Sequence, residues 1–309
     1  MEKINKVDRV LSGQEVDCPP VSLWYHFGVQ HGSGKQFANI TLEQFEYYDF
    51  DFLKVMNDIF YPPPVGLKAV ASEDDLHRIG PLDIESVWKQ QFIALDRIST
   101  ELKGRAYFID TVFDPWQSIR RAMAGEHIQA LMQSAPDALL DALEVVTDNL
   151  IHYCKQSLKI GSAGIFLSVA AGAEILTRQE FLTFVKPFAT RLLEAVADRA
   201  KMNTVHVHGE TLFFDDAIDF PAAIFSWWDR GPKGPSLQWV KERISGCVMG
   251  GIDQTIVSRR TPAFLKQHAA EGIGMGGRTR FLLAGGCTID SWVYPESIHS
   301  IVAAAREGC

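Results

Sequence analysis

Eight short apolar runs constrain this chain more than any other feature: residues 21–27, 52–55, 106–113, 163–168, 204–209, 223–227, 247–252 and 280–286. Each has strand length, and they read as nearly continuous hydrophobic stretches, not as the apolar/polar alternation of a half-exposed sheet. Strands of that kind are parallel and buried on both faces. Helix-period segments lie between most of them, clearest over 136–158 and 178–199, with a brief one over 237–244. Thr261-Pro262 supplies a helix start, with Thr as N-cap and Pro at the first helical position, and Pro295 opens the last helix likewise. Strand and helix alternating eight times predict an α/β fold, a (β/α)8 TIM barrel. Residues 1–20 read as a short N-terminal helical extension with Glu2, Lys3, Lys6 and Arg9 on a solvated face, stopped at Cys18-Pro-Pro20. No composition shift follows, so residues 1–309 are expected to form a single domain, a size that one barrel reaches.

Bulk properties remove several classes of function. A net charge of -8, with no run of Lys and Arg between aromatics, argues against nucleic acid as a partner. No leader pattern and no membrane-length apolar segment are visible, which predicts a cytoplasmic protein with no membrane partner. The five cysteines are odd in number and unpaired in spacing, as in a reducing compartment. Cys154 and Cys247 read as small apolar fillers, in a helix and at the start of a buried strand; Cys18 and Cys309 lie near the termini. No GxGxxG follows the first run, no Walker A motif occurs, and no Gly-x-Ser-x-Gly surrounds Ser168.

In a barrel of this kind the active site is built at the C-terminal ends of the strands. That rule selects His26, Asp58, Asp110, Asp114, Ser168, His206, His208, Trp227, Trp228, Asp253 and Cys287. Side chains alternate along a strand, so His206 and His208 in Thr204-Val-His-Val-His-Gly-Glu210 share one face. Zinc accepts neutral imidazole nitrogen, and a catalytic zinc site takes three protein ligands with one position open; Cys287, far downstream, is the best third. Two strand histidines also serve as plain hydrogen-bonded polar groups, and spacing does not separate the readings. Glu210 is a partner that orients a histidine, a general base or a solvated loop carboxylate. Asp58 reads either as a carboxylate at the barrel mouth or as a helix N-cap. Trp24, Tyr25, Phe27, Trp227 and Trp228 suggest an aromatic cavity for a flat organic ligand, with Trp24, His26, Ser168, Trp227 and Asp253 as substrate contacts.

Six ordered segments carry a family resemblance: Asp17-Cys-Pro-Pro-Val-Ser-Leu-Trp24, Asn57-Asp-Ile-Phe60, Asp114-Pro-Trp-Gln117, Phe166-Leu-Ser168, Met249-Gly-Gly-Ile-Asp253 and Gly286-Cys-Thr-Ile289. On these the chain resembles the uroporphyrinogen decarboxylase superfamily, which includes zinc-dependent methyltransferases acting with corrinoid proteins. Tyr25-His-Phe-Gly28 stands where the decarboxylases carry Arg-Gln-Ala-Gly, Cys287 where they carry a His, and Arg121 near where they carry a Tyr. Of the decarboxylase set, Asp58 and Ser168 match. The methyltransferase branch has a His-x-Cys motif and a distant Cys; here the pattern becomes His206-Val-His208 with Cys287. The resemblance implies zinc on those three residues and a methyl group moved between a corrinoid (methylcobalamin) carrier, on a partner protein, and a thiol, pterin or methoxylated small molecule. It also implies a homodimer. Asp58, which matches the family, and Glu210, chosen for its place just past the strand, are the candidate catalytic carboxylates. The alternatives are a decarboxylase acting on a tetrapyrrole or other polycarboxylate, and a non-catalytic corrinoid- or metal-binding barrel. His208 in place of Cys removes one negative charge and makes the metal a stronger Lewis acid.

Overall fold

Seven of the apolar runs form one parallel sheet in the computed structural model, which describes residues 2–29, 31–57 and 59–307. The strands are β1 (Phe52–Val55), β2 (Tyr107–Phe113), β3 (Gly164–Ala170), β4 (Thr204–His208), β5 (Ile224–Trp227), β6 (Cys247–Ile252) and β7 (Phe281–Gly285). They lie side by side in chain order, each parallel to the next. Only parallel neighbours joined through outer helices give this order.

The run over 21–27 is not an eighth strand; it contributes a single parallel bridge between Val21 and Leu283. Pro19 and Pro20 have no N–H to give to a ladder. Farther on, the carbonyls of Trp24 and His26 accept from Ile289 N–H and Ser291 Oγ, in the loop after β7. The short stretch that does pair still joins the sheet's ends. Leu283 N–H donates to Pro20 O at 2.8 Å, Ser22 N–H to Leu283 O at 3.1 Å, and Asp51 N–H to Val21 O at 2.9 Å. The sheet therefore curls in TIM-barrel-like fashion.

Helices cover the outside. Pro136–Ile160 starts with Pro in its first turn and buries Val146, Leu150 and Cys154. Pro262–Gly276 is capped by the Thr261 side chain, which accepts from Phe264 N–H. The helix expected over 178–199 is broken: a π turn, Phe181–Val185, precedes Lys186–Glu194. Pro187 explains this, because it cannot donate to the carbonyl one turn back and the ladder must widen. The N-terminal helix, Lys3–Leu11, is shorter than the expected lead-in. Its Lys6 faces inward, where Nζ meets Asp51 Oδ1 at 2.9 Å, while Arg306 of the last helix meets Asp51 Oδ2 at 2.7 Å.

Cys154 and Cys247 are buried free thiols as expected; Cys18, in contrast, is disulfide-bonded. The expectations for Asp58 and Cys309 fall outside the described residues. Among the described residues, no helix is long and apolar enough to cross a membrane.

Candidate metal centre

Paired residues of neighbouring parallel strands point to the same face. The register sets Ser168 beside His206 and His206 beside Ser226, with Ala170 beside His208. His206 and His208 thus project together into the sheet's concave side, and Cys287 approaches from just past the end of β7. One ligand atom from each of the three lies within 4.8 Å of the other two, the spread that a single metal ion spans.

The state of the donors suits a metal. His206 is 3% exposed, its Nδ1 lies 3.2 Å from Ser226 Oγ, and its Nε2 is buried with no hydrogen-bond partner. Buried polar atoms are rarely left so, and a coordinating ion would satisfy this one. Burial holds His206 well below the usual imidazole range, and His208 and Lys54 push the same way. His208 is also lowered, by burial first and then by Arg121, with Glu174 opposing. Both imidazoles are therefore neutral at pH 7, the ligating form. Burial pushes the Cys287 thiol up, while the Thr288 N–H, Lys54 and Arg121 pull it back.

Two hollows meet at the three donors. The inner one, about 130 Å³, is walled by Trp24, Lys54, Phe166 and Ser168 together with the donors. The outer cleft, about 390 Å³, is flanked by Arg120, Glu174, Trp228 and Gln254. A larger groove of about 1130 Å³ runs along the outside of helix Gly34–Tyr48, away from the donor cluster. The donors' position makes the two smaller hollows the chemically relevant ones.

Lys54 is 4% exposed, with Nζ 4.4 Å from the Phe166 ring centre and 5.0 Å from that of Trp24, close enough for cation–π attraction. Its Nζ also lies 3.0 Å from Met56 Sδ. Arg121 lines the same cavity, and among its described lining residues there is no carboxylate. Trp24 packs edge-on against Phe166 at 5.6 Å, and Phe166 stacks on the His206 ring at 5.3 Å.

Glu174 holds the segment after His208. Its two carboxylate oxygens accept from Glu210 N–H at 2.6 Å and Thr211 N–H at 3.1 Å. Burial raises this carboxyl, but the two N–H donors outweigh it and leave Glu174 below the usual range. Gly209 sits at φ 147, and a Cβ there would lie 2.5 Å from Gly172 Cα, so the crossing of the two loops requires glycine.

Of the residues chosen from the sequence, Trp24, His26, Ser168, His206, His208 and Cys287 line the inner cavity, and Glu210 lines the outer cleft from an exposed position. Trp227 does not reach either hollow. It is fully buried against Phe214, 4.9 Å between ring centres, and its Nε1 donates to Pro235 O. One residue of register puts Trp227 on the outer face and leaves Ser226 on the inner one. Asp253 also stays outside both hollows, accepting from Trp228 Nε1 and from Thr255 N–H and Oγ1. Lys54, Ser226 and Glu174 were missed. Lys54 and Ser226 each left a signal, a polar residue inside an otherwise apolar run; Glu174 left none.

Fold and site together define a TIM-barrel-like α/β protein with a candidate metal centre at its strand ends. The model of the uroporphyrinogen decarboxylase (URO-D) family matches residues 3–308, and the chain belongs to that family. Uroporphyrinogen decarboxylase of Xanthomonas campestris pv. campestris is 25% identical over 231 residues, 63% of this chain and 65% of its own length, so the match spans less than two thirds of that relative. Two solved structures share the fold. A methyltransferase from Methanosarcina mazei superposes with a TM-score of 0.79 at 17% identity, covering 99% of each chain. A B12-independent methionine synthase from Shewanella sp. W3-18-1, in complex with selenomethionine, gives 0.62 at 10% identity, covering 94% of this chain and 92% of its own.

Proposed function

We propose that the protein is a zinc-dependent methyltransferase moving a methyl group between a corrinoid (methylcobalamin) carrier on a partner protein and a thiol, pterin or methoxylated small molecule. The observation that carries this reading is the donor set of His206, His208 and Cys287 within 4.8 Å, with His206 Nε2 buried and unpartnered. Zinc held by these three residues would supply Lewis acidity, enough to keep an acceptor thiol as its nucleophilic thiolate at neutral pH.

The chain's own residues do the rest. Lys54 and Arg121 put polar, hydrogen-bond-donating groups on the inner cavity beside the three donors. Trp24 and Phe166 give the inner cavity an apolar wall beside the donors, and an apolar surrounding strengthens each electrostatic contact. The Ser168 hydroxyl lies 3.5 Å from Gln117 Nε2, which also donates to Ser168 O at 2.7 Å and so fixes this part of the wall. Glu210 and Asp58 remain the candidate carboxylates for moving a proton. The inner cavity of about 130 Å³ suits a small acceptor, and the outer cleft of about 390 Å³ opens beside it at the donors.

Elemental analysis of the purified protein beside His208→Ala and Cys287→Ala is the first test. About one zinc per chain in the wild type and loss in both variants supports the site. Absence from the wild type, or retention by both variants, refutes it. Methyl transfer from methylcobalamin to a panel of small thiols, followed by the cobalamin absorbance change, then tests the reaction.

A further inference from the structure

Ser226 is fully buried in β5, at the position paired with His206 on β4. Its Oγ lies 3.2 Å from His206 Nδ1, while Nε2 on the ring's other side is buried without a partner. Phe166 lies over the imidazole with an interplanar angle of 25°, which holds the ring plane and keeps the two nitrogens in their places. The register gives His206 a second hydroxyl neighbour, Ser168, but that side chain is turned to Gln117. Only one nitrogen of the ring is therefore met by a serine.

Neutral imidazole has one N–H, and the nitrogen that lacks it is the one able to coordinate. A hydroxyl oxygen can accept an N–H, and metal-bound histidines are oriented and made more basic when the distal N–H is accepted in this way. Resting on the metal-centre reading above, we propose that Ser226 is a positioning residue: its Oγ accepts the Nδ1 proton of His206 and so commits Nε2 to the metal. The ring's orientation then follows from strand register, since the serine and the histidine are neighbours in the ladder. Ser226 touches neither substrate nor metal; it acts through His206.

The test compares zinc affinity, by competition with a chromophoric chelator, in wild type and Ser226→Ala. The variant is expected to bind about 10- to 100-fold more weakly, and its thermal melt in excess chelator shows that it still folds. Long-range proton–nitrogen correlation on the zinc-loaded wild type, which needs no variant, should show His206 metallated at Nε2 and protonated at Nδ1. Metallation at Nδ1, or a Ser226→Ala affinity within twofold of wild type, overturns the role of Ser226 while leaving the centre intact. A wild type that binds no zinc overturns the metal-centre reading itself.

Discussion

Asp51 is a buried carboxylate shared by two cations, and replacing it with Ala gives a prediction that can be worked through. Its side chain is 2% exposed and accepts from Lys6 Nζ at 2.9 Å, Arg306 at 2.7 Å and Val21 N–H at 2.9 Å. Asp51→Ala strands the Lys6 ammonium, itself only 9% exposed, and removes the partner of a buried N–H. Breaking a buried ion pair by deleting one member costs about 3–5 kcal/mol, because the survivor keeps its desolvation penalty. For a chain of this length that corresponds to roughly 5–8 °C in melting temperature.

The deficit should also depend on pH. Burial already lowers Lys6 below its ordinary 10.5, and Asp51 is the main group opposing that fall. Without Asp51 the folded-state pKa drops further. Below it, folded and unfolded chains both hold the proton and the variant bears the full penalty. Above it, the folded state sheds the proton while the unfolded chain keeps it up to about 10.5, so stability relative to wild type recovers as pH rises. Urea unfolding at pH 7 and pH 10 checks this. A loss below about 1 kcal/mol, or a deficit that does not narrow at the higher pH, would refute the buried-pair account.

Gly209→Ala should disturb both stability and metal retention, since its Cβ would meet the Gly172 backbone, which cannot move aside; chelator competition and thermal melts together check it. Asp110 accepts from Tyr153, Ser157 and Gln91, yet burial pushes its carboxyl up to about 6. Between about pH 4 and 6 the folded state then holds the extra proton, so this group's contribution falls as pH rises, by up to about 3 kcal/mol. The advantage of wild type over Asp110→Asn should shrink accordingly, as measured by urea unfolding at pH 4.5 and 7. His208→Cys should keep the metal but add a negative ligand, raising the pKa of a metal-bound water; a pH titration of the cobalt-substituted protein's visible spectrum would follow it. An unchanged titration would count against His208 as a ligand.

The alternation of strand and helix was legible because buried parallel strands are written as unbroken apolar runs. That same property hid which side of each strand faced the site. In 223–227 the residue that attracts notice is Trp227, whereas the inward one is Ser226, and only the ladder with β4 decides between them. His206 and His208 were legible because a two-residue spacing fixes a common face whatever the register. Lys6 was misread as solvated, since its partner Asp51 lies far along the chain and no local pattern announces a buried ion pair. Lys54 sits among Phe52, Leu53 and Val55, where a charge is conspicuous, but its meaning needs the rings of Trp24 and Phe166 beside it. The first run stops short of a strand because, past the Val21 bridge, its carbonyls at Trp24 and His26 are taken up by the loop after β7.

That failure has a consequence for how such a protein can change. Trp24 and His26, on the wall of the inner cavity, are tied to the loop after β7, and not to the ladder that carries Lys54, Thr111, Phe113, Phe166, Ser168, His206 and His208. An insertion or deletion there shifts no strand out of step with its neighbours, so new side chains can be tried against the ligand without remaking the core. The stretch where this chain departs from the decarboxylase pattern, Tyr25-His-Phe-Gly28, lies in that unladdered wall. Selection for a different substrate would find there the part of the barrel most open to rewriting.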